Sequence, residues 1–299
     1  MKFGSVADAS LIDFTLPDDH PENKRVLEKT KNSSPVKFNI GCAKWNKTDL
    51  KNFYPRGTKN ELEYYANEFN SIELNATFYR LFEPEQFTKW KDATPDHFKF
   101  FPKITQSISQ YKRLKDTEEI VDSYVHAIKH LDHKLGGVFL QMMANFAPKD
   151  LERVSNFVNY WPKDIPLSVE LRHTNWYNDS EVATKLYNLF ESNNITNIIT
   201  DTAGRRDLLH MRLTNSKVFI RYVGANHESD YTRLDEWIVR IKQWVEQGAK
   251  EINFFIHQNV ELESPLLSTY FVKQLNKELG LNLHVPKNLL DKTDELTLF

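Results

Sequence analysis

Asn70-Ser71-Ile72-Glu73-Leu74-Asn75 alternates aliphatic and polar side chains. Side chains swap faces at each residue of a β-strand, so Ile72 and Leu74 share one face while Ser71, Glu73 and Asn75 share the other. Pro166–Arg172 repeats the pattern: Val169 and Leu171 oppose Ser168, Glu170 and Arg172. Six further short apolar runs read as strands: Lys37–Ala43, His97–Lys103, Gly136–Gln141, Ile195–Asp201, Lys217–Gly224 and Glu251–His257. In these, Phe98 and Phe100 oppose Lys99, Phe101 and Lys103, and Val138 and Leu140 oppose Phe139 and Gln141. Ile220 opposes Phe219 and Arg221, while Ile252, Phe254 and Ile256 oppose Asn253, Phe255 and His257.

Between the runs, apolar residues recur at helical spacing. Examples are Leu62, Tyr65, Ala66 and Phe69, then Leu151, Val154, Phe157, Val158 and Trp161, then Leu234, Trp237, Ile238, Ile241 and Val245. Such stripes belong to helices packed on a sheet. Strand and helix alternating through eight units predict a parallel sheet closed into a single TIM-like (β/α)8 barrel. An open doubly wound sheet is the rival, but its usual glycine-rich phosphate loop is missing: the chain has 9 glycines and neither GxGxxG nor GxxxxGK[ST]. The expected organisation is an N-terminal extension over residues 1–35, broken by Pro17, Pro21 and Pro35, a barrel over 36–280 and a C-terminal tail over 281–299.

Hydrophobic residues make up 40% of the 299, enough for a sizeable core, and the net charge of −2 provides no general attraction for nucleic acid or an anionic membrane. Nucleic acid stays open as a ligand of a local basic patch. No run approaches the ~20 apolar residues of a membrane helix, so no membrane partner is expected. The start lacks a secretory apolar region and the end lacks a terminal cysteine box. Cys42 is the lone cysteine, which suits a reducing, cytoplasmic setting. Its parity with Phe38 and Ile40 predicts a small buried hydrophobe rather than a nucleophile.

If the aliphatic faces meet the helices, the opposite parity points to the barrel axis. It gathers Glu73, Asn75, Lys103, Gln141, Glu170, Arg172, Asp201, Arg221 and His257. Nearly all stand at the carboxyl ends of their strands, where barrel enzymes build their sites. Three carboxylates (Glu73, Glu170, Asp201) face three cations (Lys103, Arg172, Arg221), which also permits a self-contained ion-pair network.

Several blocks in order resemble the YecE-like family, catalogued as domain of unknown function family 72. They are Gly41-Cys42-Ala43-Lys44-Trp45 with Phe53-Tyr54-Pro55, and Phe69-Asn70-Ser71-Ile72-Glu73-Leu74-Asn75-Ala76-Thr77-Phe78-Tyr79-Arg80. Trp90 with Thr94-Pro95, Phe98-Lys99-Phe100 leading to Lys103, Leu140-Gln141, Val169-Glu170-Leu171-Arg172-His173 with Trp176, and Thr200-Asp201 continue the series. The resemblance runs from about Gly41 to Asn259. It implies a barrel and no established reaction, cofactor or substrate. Two blocks depart from the family pattern. Arg221 is followed by Tyr222-Val223-Gly224 where the family usually has histidine and glycine, and the eighth strand ends His257-Gln258-Asn259 where paired asparagines are usual. His257 is a candidate to fill the space left by the missing seventh-strand histidine.

Three functions fit this set. In a hydrolase-type enzyme, Glu73 and Glu170 serve as acid and base, with Asp201 as a further carboxylate and Lys103, Arg172 and Arg221 steadying negative charge. Trp45, Tyr79 and Trp176 then form apolar walls, and Asn75, Gln141, His173, His257 and Asn259 complete the substrate contacts. A site for an anionic or phosphorylated small molecule, or for nucleic acid, uses the same arginines with Arg205 and Arg206 nearby. A binding barrel without turnover needs the same pocket. Glu73, Glu170, Asp201 and His257 are competent metal ligands, as a metal-assisted phosphoesterase would require. The interleaved cations oppose a metal, and HExxH and paired-cysteine spacings are absent, so no metal and no cofactor is expected. His173 also suits a role anchoring the loop before Trp176.

Overall fold

A computed structural model describes residues 4–31, 35–50 and 52–287. Its strands are β1 Lys37–Cys42, β2 Ser71–Leu74, β3 Lys99–Pro102, β4 Val138–Gln141, β5 Leu167–Glu170, β6 Thr196–Asn197, β7 Ile199–Thr202, β8 Lys217–Gly224 and β9 Glu251–Gln258. All named pairs are parallel, in sheets ordered β1-β9-β8-β7, β2-β3 and β4-β5-β6. The single run expected over Ile195–Asp201 is divided between β6 and β7. At the break, the Ile198 amide donates to Val169 O at 2.9 Å.

Further bonds link one sheet to the next. The Ile104 amide donates to Phe139 O and the Gly136 amide to Phe100 O, each at 2.9 Å, which joins β3 to β4. Between β1 and β2, side chains replace the ladder. Asn70 Oδ1 accepts from the Ile40 amide at 2.8 Å and its Nδ2 donates to Phe38 O at 2.7 Å. The Tyr65 hydroxyl accepts from the Cys42 amide at 2.7 Å and donates to Ser71 O at 3.1 Å. This close approach requires glycine at position 41, because a Cβ there would stand 2.1 Å from Ser71 O.

The amphipathic segments fold as helices α1 Asn23–Glu28, α2 Glu61–Glu68, α3 Ala76–Tyr79, α4 Pro84–Asp92, α5 Glu118–Ile128, α6 Leu151–Tyr160, α7 Asn175–Asn178, α8 Ser180–Ser192, α9 Ser229–Gln247 and α10 Ser264–Leu279. Their apolar faces cover the outward strand residues in two clusters. One centres on Ile72, Leu74, Val138, Leu140, Val169 and Leu171, the other on Ile40, Ile199, Ile220, Ile252, Phe254 and Ile256. α10 closes on Gly280, whose φ of 65° is a left-handed cap that glycine adopts without strain.

Flanking segments pack on this frame. Leu16, Val26 and Leu27 are buried, Asp19 accepts from Arg240 at 2.6 Å and Trp244 at 2.8 Å, and Phe14 O accepts from Arg206 at 2.7 Å. After Gly280, Asn276 pairs with Leu283, and His284 reaches Glu68 at 3.0 Å. Residues 288–299 of the expected tail, and 1–3 and 32–34 of the expected extension, lie outside the described residues.

A third, smaller cluster has a different origin. Phe101, Phe139, Ile198, Phe219 and Phe255 come from β3, β4, the β6–β7 break, β8 and β9, and form one apolar plug. Phe101 meets Phe255 at 5.0 Å between centroids and Phe219 at 5.9 Å, and Phe139 meets Phe219 at 5.8 Å. Strands of separate sheets therefore face one interior, and this plug is the floor on which the polar site stands.

Candidate functional site

Each site residue lies two positions beyond a plug or strand residue on the same face. Phe101 leads to Lys103, Phe139 to Gln141, Phe219 to Arg221, Phe255 to His257, Ser168 to Glu170 and Ser71 to Glu73. A step of two residues climbs roughly 6–7 Å along a strand and keeps the face. A layer of aromatic rings is thus followed by a layer of charge at the carboxyl ends.

Arg221 is the hub. Its Nη2 donates to Glu73 Oε1 at 2.7 Å and its Nε to Glu73 Oε2 at 2.9 Å, while Nη1 donates to Glu170 Oε2 at 2.6 Å and Gln141 Oε1 at 3.1 Å. Arg172 Nε donates to Glu170 Oε1 at 2.5 Å. Gln141 Oε1 also accepts from Arg172 Nη2 at 2.9 Å and Lys103 Nζ at 3.0 Å. Three cations, all pure donors, converge on this one amide oxygen, which fixes the amide's orientation. Asn75 Nδ2 donates to Glu73 Oε1 at 2.8 Å, and His257 Nε2 lies 3.1 Å from Glu73 Oε2.

Burial alone would raise both carboxyls. Arg221 and His257 reverse this for Glu73 and hold it well below the usual carboxylate range, and Arg172 with Arg221 bring Glu170 down to about 2. Both glutamates are therefore ionised at neutral pH, and neither keeps a proton to donate there. That corrects the expectation that one of the pair serves as an acid. Lys103 moves the other way. Burial and the neighbouring Arg221 outweigh Glu73 and Glu170 and push its ammonium down to about 7. It lies 4.3 Å over the Phe78 ring, whose face supplies part of the missing solvation.

A cavity of about 470 Å³ opens above this layer. Arg221, His257, Asn75, Trp45 and Tyr79 line it, together with Lys44, Asp49 and Glu261. Lys44 pairs with Asp49 at 3.1 Å, and His257 Nδ1 lies 3.9 Å from Glu261 Oε1. Sequence reasoning did not single out the last three lining residues. Lys44 follows Cys42-Ala43 just after β1, where no strand parity marks it. Glu261 lies beyond the eighth run, and its spacing of four from His257 was the available signal. Glu73, Glu170, Gln141, Lys103 and Arg172 lie behind the lining and reach it through Arg221.

Four expected site residues lie elsewhere. Asp201 shares parity with Ile199, which packs in an outer cluster. Its carboxylate accepts from Arg233 Nη2 at 2.8 Å, from Trp237 Nε1 at 2.7 Å and from Arg206 Nη1, so helix α9 and the loop after β7 hold it away from the axis. Trp176 is 0% exposed; its indole donates to Phe146 O at 2.7 Å, making it core rather than pocket wall. His173 Nδ1 accepts from the Asn175 amide at 3.2 Å, the anchoring role. Asn259 follows β9, with its amide bonded to Gly224 O at 3.1 Å, outside the cavity lining. Arg205 Nη2 donates to Arg172 O at 2.9 Å and pairs with Asp207, while Arg206 pairs with Asp201. Cys42 is buried, and burial pushes its thiol up to about 12, as expected of a packed hydrophobe.

A larger cavity, of about 560 Å³, lies between the N-terminal segment and α7–α8, away from the charged layer. Several of its polar walls are paired internally: Tyr177 donates to Leu171 O, Arg212 pairs with Glu191, and His210 meets Ile198 O at 3.0 Å. The converging charged side chains belong to the smaller cavity.

Fold and site together define a parallel α/β protein with a charged pocket at the carboxyl ends of its strands. The chain belongs to the family described as "Protein of unknown function DUF72", whose model matches residues 39–289. The UPF0759 protein YecE of Escherichia coli K12 is 26% identical over 237 residues, covering 73% of this chain and 86% of that protein. The UPF0759 protein YunF of Bacillus subtilis 168 is 27% identical over 147 residues, covering 46% of this chain and 51% of that protein. A crystal structure of a DUF72 family protein from Enterococcus faecalis V583 superposes with TM-score 0.64 at 17% identity, covering 84% of this chain and 99% of that one. That likeness shows the shared fold. Among the described residues no helix is long and apolar enough to cross a membrane.

Proposed function

We propose that the strands close into a (β/α)8 barrel whose cavity is the active site of a small-molecule enzyme of hydrolase type, acting beside an anionic group of its substrate. The phenylalanine plug shared by β3, β4, β8 and β9 supports closure. One observation carries the functional reading. Arg221, locked by two buried carboxylates, lines the cavity beside His257, whose Nε2 is held by Glu73.

Glu73 is ionised, so the 3.1 Å contact makes His257 Nε2 the donor and leaves Nδ1 as the basic nitrogen. In this reading His257 moves the proton, Glu73 orients the imidazole, and Arg221 with Asn75 meets developing negative charge. With Asp201 withdrawn from the site, the floor has Arg172, Arg221 and the partly protonated Lys103 beside Glu73 and Glu170. Arg221 at the cavity wall favours an anionic group on the substrate, and the interleaved cations disfavour a bound metal ion.

The test is a hydrolysis panel of phosphate, carboxylate-bearing and neutral esters, run with the wild type, His257→Asn and Glu73→Gln. Turnover of anionic esters, lost in both variants while ligand binding persists, supports the reading. Anion binding without any turnover leaves a binding barrel instead.

A further inference from the structure

We propose that this cavity takes a ligand with a flat ring as well as an anionic group, of the nucleoside monophosphate class, gripped between Trp45 and Tyr79. The inference rests on the anionic reading above and adds the ring. Trp45 and Tyr79 line the same cavity as Arg221 and His257. Each of the two rings meets a neighbour at a steep angle. Trp45 meets Trp90 at 5.9 Å with an interplanar angle of 78°, and Tyr79 meets Phe78 at 5.1 Å and 86°. A T-shaped contact fixes a ring's direction without a parallel stack on it.

The main chain beneath each ring is tied as well. Trp45 O accepts from the Tyr54 hydroxyl, and Tyr79 O accepts from Gln106 Nε2 at 3.2 Å. Two pre-set aromatic walls cost little further ordering when a ligand arrives. Tyr79 is 69% exposed even though its neighbour Phe78 is buried over Lys103. The ring of Tyr79 therefore adds little to the core and stays open to a ligand in the cavity. The volume of about 470 Å³ falls within the ~300–1,000 Å³ usual for small-molecule sites.

The floor decides between ring-bearing ligands. A neutral sugar would stack on the same walls but bring no anion to Arg221. A phosphate on the ring-bearing unit brings one to Arg221, His257 and the Asn75 amide. Single-stranded nucleic acid would need further stacking platforms beyond the mouth. Tyr111 is the one large exposed ring in the neighbouring Ser107–Tyr111 turn.

The test is calorimetric titration of the full chain with ribose 5-phosphate, adenosine 5′-monophosphate and a short oligothymidylate, using the wild type, Tyr79→Ala and Tyr79→Phe. The mononucleotide is expected to bind about ten- to a hundredfold more tightly than the sugar phosphate. Tyr79→Ala should erase that increment without changing sugar-phosphate affinity, and Tyr79→Phe should retain it. Equal affinity for the two monophosphates, or an unaltered mononucleotide affinity in Tyr79→Ala, overturns the ring clamp and leaves the anionic site standing. Failure of all phosphate-bearing probes to bind overturns the anionic reading as well. Tighter binding of the oligonucleotide than of the mononucleotide overturns the small-molecule assignment.

Discussion

Glu73 and Arg221 meet through both carboxylate oxygens, at 2.7 and 2.9 Å, on strands 148 residues apart in the chain. The fork geometry makes this a rigid bidentate joint rather than a loose ion pair. Because Arg221 also reaches Glu170, one guanidinium spans β2, β5 and β8 and fixes the floor of the cavity.

Removing that guanidinium strands two buried carboxylates. Arg221→Met is expected to cost about 3–5 kcal/mol, the usual range for breaking a buried pair from one side. Arg221→Lys should recover little, since a point charge cannot replace the fork. Urea unfolding at neutral pH measures both, and an unchanged midpoint in Arg221→Met would refute the coupling. Combining Glu73→Gln with Arg221→Met should restore part of the loss, because one stranded charge is gone.

The same pairing sets the response to acid. Glu170 titrates at about 2 in the folded chain against 4.5 as its ordinary value. Between those values the unfolded chain binds more protons, so stability falls as pH falls through this window. The contribution is present above pH 4.5 and is on the order of 3 kcal/mol. Unfolding midpoints measured from pH 6 to pH 2.5 should show this slope, and Glu170→Gln should flatten it. An equally steep slope in the variant would place the acid sensitivity elsewhere.

Trp176 and Asp201 test the division between scaffold and site. The buried Trp176 stacks near Phe146 at 6.0 Å, so Trp176→Ala should cost about 3–5 kcal/mol. Asp201→Asn disturbs Arg233, Arg206 and Trp237 and should also destabilise. Ligand affinity of the folded fraction, read by titration well below each melting point, should stay within about twofold. A tenfold loss in either variant would return that residue to the site.

The contrast between these residues and Glu73 shows what the sequence reveals. In β2, β5, β8 and β9 one face is aliphatic and the other carries charge, so period-two reading sends Glu73, Glu170, Arg221 and His257 to one interior. Over Ile195–Asp201 the same reading misplaces Asp201, because Ile198 and Ile199 put an isoleucine on each face and the chain breaks its ladder at Ile198. Asp201 turns outward because Arg233 and Trp237, more than thirty residues later, are there to receive it. No local pattern carries that information. The Glu73–Glu170 acid–base pairing failed for a similar reason. Side-chain type and parity placed both carboxylates correctly, but their ionisation depends on Arg221 lying between them.

Lys103 makes the last prediction. Its ammonium sits at about 7 when folded against 10.5 ordinarily, since burial and Arg221 oppose the charge. Between pH 7 and 10.5 the unfolded chain holds more protons, so this group makes stability rise with pH across that window. An anion bound over Arg221 adds negative charge near Lys103 and thereby favours the protonated lysine. Binding should therefore take up a proton, and anion affinity should weaken as pH climbs through about 7. Titrating sulfate, which does not ionise in this range, from pH 6 to 9 in buffers of different ionisation enthalpy measures that uptake directly. His257 lines the cavity beside Arg221, so the measurement is made in His257→Asn with and without Lys103→Met. A pH slope that survives Lys103→Met in that background would show that Lys103 is not the proton acceptor. A slope that vanishes ties the buried lysine to the charge entering the cavity.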